Sequence, residues 1–231
     1  MKRDENPGQP VELRISGDGS HTLFLRGLNE HYHSTFGAIN ESRHIFIEAG
    51  LNYIAQKSDR INILEIGFGT GLNALLTYIE AEKNCLKIDY SAIELFPLEE
   101  VIYSKLNYTE LIQFQNINKI FLQLHQSTWE QRILLSDHFS LKKMKISLKD
   151  YLPEKQYFDL IYFDAFGPDV QPDMWTLDIF RKMATCLIQG GVMVTYSTKG
   201  IVKRNLKEAG FIIEKLPGPV GKREILRGLL S

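Results

Sequence analysis

The sequence has 231 residues, a formal net charge of −1, and 44% hydrophobic and 24% charged residues. These values predict one large globular domain, or one domain with a small extension. No apolar run reaches about 18 residues, which argues against a membrane-spanning helix. Cys85 and Cys186 lie far apart in apolar surroundings, so we expect unpaired thiols in a reducing, cytoplasmic compartment.

The N-terminal part predicts an extension ahead of the main domain. Residues 1–10 are polar, without the apolar core of a signal peptide, and we expect a flexible leader. Residues 11–26 alternate around a glycine-containing turn, which is typical of a β-hairpin. A polar loop and a helix over 42–55 complete an extension spanning 11–55, and 56–231 form the main domain. His31 and His33 lie on the loop without a third ligand, so no metal is expected.

From residue 56 onward, predicted strands alternate with predicted helices. We expect strands at 61–66, 86–95, 157–163, 192–196, 211–216 and 223–229, a hairpin over 132–147, and helices at 72–81, 110–124, 176–187 and 202–209, with a further helix from Pro97. This order predicts a doubly wound α/β sheet with one antiparallel strand at its edge. Such sheets bind ligands beyond the carboxyl ends of their strands.

The most informative stretch is the strand, glycine turn and helix between Ile61 and Asn73. Glu65 precedes a Gly-x-Gly-x-Gly pattern formed by Gly67, Gly69 and Gly71. The dinucleotide fingerprint is Gly-x-Gly-x-x-Gly and lacks this preceding acid. A carboxylate there repels a pyrophosphate and attracts a cation. The stretch therefore favours S-adenosylmethionine over NAD, with a ligand-free tight turn as the alternative.

Acidic side chains are also predicted at the ends of later strands. Glu94 ends the second strand, 23 residues after Gly71, where a carboxylate can accept both ribose hydroxyls of an adenosine ligand. Asp150 follows the third predicted strand and is a weaker candidate for approaching an adenine. A solvated carboxylate is the alternative for both.

The stretch from Tyr162 to Trp175 is the second candidate site. Asp164 ends an apolar strand, and Phe166 and Pro168 follow it. Methyl transfer is an in-line displacement that depends mainly on positioning. Asp164 can orient an amine nucleophile and accept the proton that it releases, and Phe166 can stack on a planar base. The alternative is that Asp164 caps a loop while Phe166 and Trp175 belong to the core.

Basic residues are concentrated near the C-terminus. Between Lys199 and Ser231 there are eight basic and three acidic residues. Such a patch beside an active site is suited to a polyanion such as RNA, and a solvated helix face is the alternative.

Several of these stretches together resemble one family, the methyltransferase domain of the bifunctional bacterial enzyme that completes 5-methylaminomethyl-2-thiouridine at the tRNA wobble position. The resemblance covers nearly the whole chain from about Leu13. It is carried by Glu30, Tyr32, Ser34, Glu41 and Ser42, and by the stretches 67–73, 164–168, 172–175, 197–203 and 221–224.

The resemblance implies a Rossmann-like class I S-adenosylmethionine-dependent methyltransferase with a mostly parallel seven-stranded sheet and an N-terminal β-hairpin extension. It implies methylation of the exocyclic amine of 5-aminomethyl-(2-thio)uridine, with the tRNA anticodon stem-loop as partner. The chain reaches Ser231 without a second glycine fingerprint. We therefore expect no FAD-dependent oxidase activity and a separate enzyme that supplies the free amine. Ser147 stands where the family often has an adenine-binding acid.

The resemblance and the strand-end positions together assign candidate residues to three roles. The expected cofactor contacts are Tyr32, Glu41, Glu65, Gly67, Gly69, Gly71, Asn73, Glu94, Ser147 and Asp164. The expected catalytic residues are Asp164, Phe166 and Pro168, and the expected substrate contacts are Trp175, Lys199, Lys222 and Arg223.

Two other functions compete with tRNA methylation at this stage. One is a methyltransferase or aminopropyltransferase that acts on a small-molecule amine, whose activity would not depend on tRNA or respond strongly to salt. The other is a non-catalytic RNA-binding subunit, which would not bind S-adenosylmethionine.

Overall fold

The structure is a computed structural model that describes residues 11–230. The predicted leader over residues 1–10 lies outside the described residues. The described residues begin with a small antiparallel sheet in the order β1-β2-β3, formed by β1 (Val11–Ile15), β2 (His21–Leu25) and β3 (Glu30–His31). The predicted hairpin over 11–26 is confirmed, because β1 and β2 pair antiparallel from Val11 opposite Leu25 to Ile15 opposite His21.

A continuous helical segment connects the small sheet to the main domain. It consists of α1 (Ala38–Ser42), a π-helical stretch (Arg43–Leu51) and α2 (Asn52–Ala55). Phe46 is buried and its ring lies 5.1 Å from that of Tyr162 in the main sheet. Gly50 permits close contact, because an added Cβ would lie 3.1 Å from Val194 Cγ2. This packing holds the π-helical stretch against the main sheet.

The main sheet has eight strands, in the order β10-β11-β9-β8-β4-β5-β7-β6. They are β4 (Arg60–Ile66), β5 (Lys87–Ile93), β6 (Arg132–Ser136), β7 (Phe139–Met144), β8 (Phe158–Phe163), β9 (Leu187–Thr195), β10 (Phe211–Pro217) and β11 (Glu224–Leu230). Strands β9, β8, β4, β5 and β7 are parallel. The mainly parallel α/β sheet is thus as predicted, with one strand more than the expected seven.

The antiparallel strands differ from the expectation of a single one at the edge. Strand β11 runs antiparallel between β9 and β10, and β6 is antiparallel to β7 at the opposite edge. A short loop between β10 and β11 produces the first arrangement, since a strand after a tight turn returns beside its neighbour. The predicted hairpin over 132–147 produces the second.

Helices cover both faces of the main sheet. The remaining helical elements are α3 (Leu72–Asn84), α4 (Glu100–Tyr103), α5 (Tyr108–Leu111), α6 (Ile117–Gln126), a 3₁₀ turn (Pro172–Trp175), α7 (Leu177–Cys186) and α8 (Gly200–Glu208). The core on one face includes Ile63 with residues of the π-helical stretch, α3 and α6, and the core on the other includes Leu64 with residues of α7 and α8. Adjacent residues of β4 thus serve opposite cores, as the period of a strand requires.

The single helix predicted over 110–124 is wrong, because α5 and α6 are separate. Asn116 precedes α6 with a left-handed φ of 58°, a conformation that interrupts a right-handed helix. None of the helices between residues 11 and 230 has the length and apolar character needed to span a bilayer.

Candidate active site

A large cavity opens where the parallel strands β4, β5 and β8 end. Its volume is about 1570 Å³, and residues from the three strand ends line it together with Tyr32, Glu41 and Lys222. The carboxyl ends of parallel strands are the usual ligand-binding edge of such sheets. Sites for one small molecule have volumes of about 300–1,000 Å³. The cavity therefore has room for a methyl donor and an acceptor group together.

The glycine turn after β4 forms the floor of the cavity. Gly67 has a φ of 91°, and an added Cβ would lie 2.9 Å from the carbonyl oxygen of Asp164. At Gly69, with a φ of 49°, an added Cβ would lie 3.3 Å from the ring of Tyr32. Only glycine combines these backbone angles with such close approach. The turn therefore brings the end of β4 against the chain that follows β8.

Glu94 lies beside this turn, immediately after β5. Its Oε2 accepts a hydrogen bond from the Gly69 N–H at 3.0 Å, and its Oε1 accepts one from the Phe96 N–H at 2.8 Å. Burial raises the pKa of Glu94, and these hydrogen bonds oppose the rise. Each carboxylate oxygen can accept a further hydrogen bond. Glu94 therefore presents two fixed acceptors to the cavity, suited to a vicinal diol.

Asp164 and Glu65 share a hydrogen-bond donor, the side-chain amide of Asn73. Asn73 Nδ2 donates to Asp164 Oδ2 at 2.9 Å and to Glu65 Oε1 at 3.0 Å. Burial raises the pKa of Glu65 well above its ordinary range, against the lowering effect of the Asn73 hydrogen bond. Burial also raises the pKa of Asp164 to about 7, against the lowering effect of the Asn73 hydrogen bond. Asp164 can therefore exchange a proton near neutral pH.

Aromatic side chains hold the segment that follows Asp164. The ring of Tyr32 meets that of Phe166 edge-on, with centroids 5.1 Å apart. The indole N–H of Trp175 donates to the Phe166 carbonyl oxygen at 2.7 Å, and the Tyr196 hydroxyl donates to the Ala165 carbonyl oxygen at 2.9 Å. These two hydrogen bonds fix the backbone of residues 165–166.

An ion pair connects the N-terminal segment to the loop between β10 and β11 across the cavity. Lys222 Nζ lies 2.5 Å from Glu41 Oε1 and 4.1 Å from the centre of the Tyr196 ring. Glu41 Oε2 accepts a hydrogen bond from the Ser34 N–H at 2.6 Å. This arrangement combines an ion pair, a cation–π contact and a backbone hydrogen bond in a largely buried position.

Most of the predicted site residues meet at the cavity. Those that line it are Tyr32, Glu41, Gly67, Gly69, Asn73, Glu94, Ser147, Asp164, Phe166 and Lys222. Those that the structure does not bring to its lining are Glu65, Gly71, Pro168, Trp175, Lys199 and Arg223.

The predicted site residues outside the lining have other surroundings. Glu65 is fully buried behind Asn73, and Trp175 is 1% exposed in the core, where its contact to Phe166 supports the cavity wall. Lys199 forms an ion pair with Asp169, which itself lines the cavity. The weaker candidate Asp150 is exposed and also lies outside the lining.

Sequence reasoning missed Tyr196 and Phe36, both of which line the cavity. Tyr196 directly follows β9, and that position at a strand end is the signal that could have identified it. His31 and His33 also line the cavity, and burial lowers the pKa of His33 to about 4. Between residues 11 and 230, no group of three or more His, Cys, Asp or Glu side chains could hold a metal ion.

The cavity fits S-adenosylmethionine. The glycine turn presents backbone without side chains to the cavity, Glu94 offers two acceptors for ribose hydroxyls, and Asp164 supplies negative charge for a sulfonium or ammonium group. Ser147 lines the cavity, and its hydroxyl accepts a hydrogen bond from the Lys149 N–H at 3.3 Å. No acid stands at that position for an adenine amine.

Comparisons with known proteins agree on one family of methyltransferases. Residues 112–231 match a family described as S-adenosyl-L-methionine-dependent methyltransferase. The tRNA 5-methylaminomethyl-2-thiouridine biosynthesis bifunctional protein MnmC of Nitrosospira multiformis is 28% identical over 222 residues, which are 89% of this chain and 35% of that protein. The protein of the same name from Vibrio cholerae serotype O1 is 31% identical over 223 residues, which are 87% of this chain and 32% of that protein. The chain thus spans about a third of the length of these curated relatives.

Solved structures agree with this family. The crystal structure of MNMC2 from Aquifex aeolicus superposes with a TM-score of 0.79 at 25% identity, covering 97% of this chain and 72% of that one. Spermidine synthase from Thermotoga maritima superposes with a TM-score of 0.59 at 13% identity, covering 97% of this chain and 72% of that one, which shows a shared fold.

Proposed function

Because the chain belongs to the family of S-adenosyl-L-methionine-dependent methyltransferases, we propose that it methylates the exocyclic amine of 5-aminomethyl-(2-thio)uridine at the tRNA wobble position. The product would be 5-methylaminomethyl-(2-thio)uridine. The names of the curated relatives and the similarity to MNMC2 support this substrate. The observation that carries the proposal is the position of Asp164, which lines the cavity beside the glycine turn and has a pKa near neutrality.

Each residue of the site has a defined task in this reaction. S-Adenosylmethionine supplies an electrophilic methyl group. Glu94 would bind its ribose, and the turn at Gly67 and Gly69 would let it approach the backbone. Asp164 would orient the amine and accept its proton, while Asn73 holds the Asp164 carboxylate by a hydrogen bond of 2.9 Å. Phe166 would pack against the uracil ring.

Substrate contacts outside the cavity lining remain part of the proposal. Lys199 and Arg223 would contact the anticodon backbone, which predicts a salt-dependent affinity for tRNA. Trp175 would act by holding Phe166, and Pro168 would shape the chain beside it. A separate enzyme would supply the aminomethyl substrate, and the reaction would take place in the cytoplasm.

The test is transfer of a labelled methyl group from S-adenosylmethionine to tRNA that carries 5-aminomethyl-2-thiouridine. We expect incorporation by the wild-type protein and a loss of about 100-fold or more in Asp164→Asn, since general-base catalysis contributes about 10²–10⁴. Asp159→Asn is a matched control, because Asp159 lies near the start of the same strand, where it accepts a hydrogen bond from the Asn62 N–H at 2.7 Å.

Two results would contradict the proposal. One is the absence of transfer to this tRNA by a folded wild-type protein that binds S-adenosylmethionine. The other is equal activity on a free small amine with no dependence on tRNA, which would favour the small-amine enzyme that the shared fold with spermidine synthase also allows.

A further inference from the structure

We propose that the ion pair between Lys222 and Glu41 eases deprotonation of the substrate amine, because the lysine cancels the negative charge of Glu41, which would otherwise stabilise the ammonium form. This inference rests on the proposed function and concerns the same site. It assigns Lys222 a positioning role inside the cavity, distinct from the phosphate contact expected of a basic residue.

The geometry places both carboxylates and the lysine around one space. Glu41, Asp164 and Lys222 all line the cavity. Lys222 Nζ lies 2.5 Å from Glu41 Oε1 and rests on the face of Tyr196, whose hydroxyl is bonded to the residue after Asp164. Glu41 is only 7% exposed. The pair is therefore fixed beside Asp164 and weakly screened by solvent.

Two phenols, an imidazole and a further carboxylate also face this space. Burial raises the pKa of Tyr32 and of Tyr196 far above neutrality, so both phenols stay protonated. His33 faces Glu41, and burial lowers its pKa to about 4, so its imidazole is neutral. Glu30 also lines the cavity and contributes negative charge near Tyr196.

Further polar groups surround Asp164 itself. Asn73 donates to its carboxylate and also to Glu65, whose pKa burial raises. Glu94 lies beyond the glycine turn, where two backbone N–H groups bind it. The charge of Glu41 acts to raise the pKa of Asp164 and that of Lys222 acts to lower it.

The chemistry explains why this compensation matters. An alkyl ammonium has an ordinary pKa of about 10, and nearby carboxylates raise it further. The lone pair of a neutral amine must form the new nitrogen–carbon bond while the carbon–sulfur bond breaks, with that bond's electrons remaining on sulfur. The resulting methylated ammonium then releases one proton to Asp164 or to water. An unpaired Glu41 would hold the amine protonated and would slow the first of these steps.

The test compares the pH dependence of kcat at saturating tRNA and donor, since kcat reports pKa values of the bound complex. Two groups shape the acid side of this profile: Asp164, with a pKa of about 7, and the amine, whose limb lies at higher pH. We expect Lys222→Met to move the limb of the amine to higher pH by about one unit, which lowers kcat about tenfold at a pH below that limb. The same comparison in an Asp164→Asn background, where the limb near pH 7 is absent, assigns the shift to the amine. Glu41→Gln leaves the lysine unpaired and should move the limb to lower pH. Lys222→Arg keeps the charge and should keep the wild-type profile.

The double variant Glu41→Gln/Lys222→Met removes both charges and should return the limb close to its wild-type position. Shifts of equal sign in the two single variants, or no shift in either, would overturn the inference while wild-type methylation still supported the proposed function. Thermal melting checks folding. Should Glu41→Gln fail to fold, Lys222→Met and Lys222→Arg decide alone: a shift confined to the methionine variant supports the role, and equal profiles contradict it.

Discussion

Replacing Gly67 with alanine should misplace the proposed base and lower the stability of the fold. Gly67 has a φ of 91°, where an L side chain costs about 1–2 kcal/mol. The new Cβ would lie 2.9 Å from the Asp164 carbonyl oxygen and 3.4 Å from its carbonyl carbon. Because both atoms are backbone, the chain after β8 must shift. We expect the melting temperature to fall by about 2–8 °C. We also expect kcat to fall about 100-fold, since a displacement of about 1 Å has that effect.

Gly190→Ala is the matched control for this experiment. Gly190 has a φ of 77°, lies in an exposed part of β9, and has no atom within 4 Å of an added Cβ. It should therefore show a smaller loss of stability in differential scanning calorimetry, due to its backbone angle alone, with kcat within about twofold of wild type. Methyl-transfer assays on both variants decide the matter. Equal kinetic losses, or full activity in Gly67→Ala, would refute the claim that the glycine turn positions Asp164.

Three further variants follow from the buried titratable groups. Asp164→Asn should remove the limb of the kcat profile near a pH of about 7, because the ionised carboxylate is the base, and should leave the limb of the amine at higher pH; a pH–rate profile checks this. Asn73→Ala removes the hydrogen bond that lowers the pKa of Asp164, so the limb should move to higher pH, and urea denaturation should show a loss of about 1–3 kcal/mol. Burial lowers the pKa of His125 from 6.5 to about 3, and stability from its neutral form is present above pH 6.5 and lost as the pH falls towards 3. Urea denaturation at pH 7 and pH 4 should therefore show a smaller loss in His125→Gln than in wild type, and an equal loss would contradict this reasoning.

The central features of the fold could be predicted because they depend on local pattern. The aliphatic strand before Gly67 and the apolar strand before Asp164 are continuous in sequence, and parallel strands align their ends by topology. Parallel pairing of β4 with β8 brings both ends together, so a carboxylate at each strand end was expected at one edge. The break before α6 was missed, because the left-handed conformation of Asn116 has no clear signal in an otherwise helical pattern.

The remaining site features depend on contacts between distant parts of the chain. Glu65 occupies a strand end, yet the amide of Asn73 stands between it and Asp164, so its position in sequence did not reveal that it is shielded. The ion pair of Glu41 with Lys222 joins the N-terminal segment to the final hairpin. The basic composition near the C-terminus predicted a surface that binds phosphates, whereas Lys222 forms an ion pair with the carboxylate of Glu41.

The central claim is that this cavity transfers a methyl group to the wobble aminomethyl nitrogen of tRNA. The most direct measurement is mass spectrometry of nucleosides digested from 5-aminomethyl-2-thiouridine tRNA after incubation with the protein and S-adenosylmethionine. This nucleoside should gain one methyl group on its side-chain nitrogen in the wild-type reaction, and the initial rate should be lower by about 100-fold or more with Asp164→Asn. An unchanged nucleoside in the wild-type reaction, or a methyl group on any other atom, would contradict it.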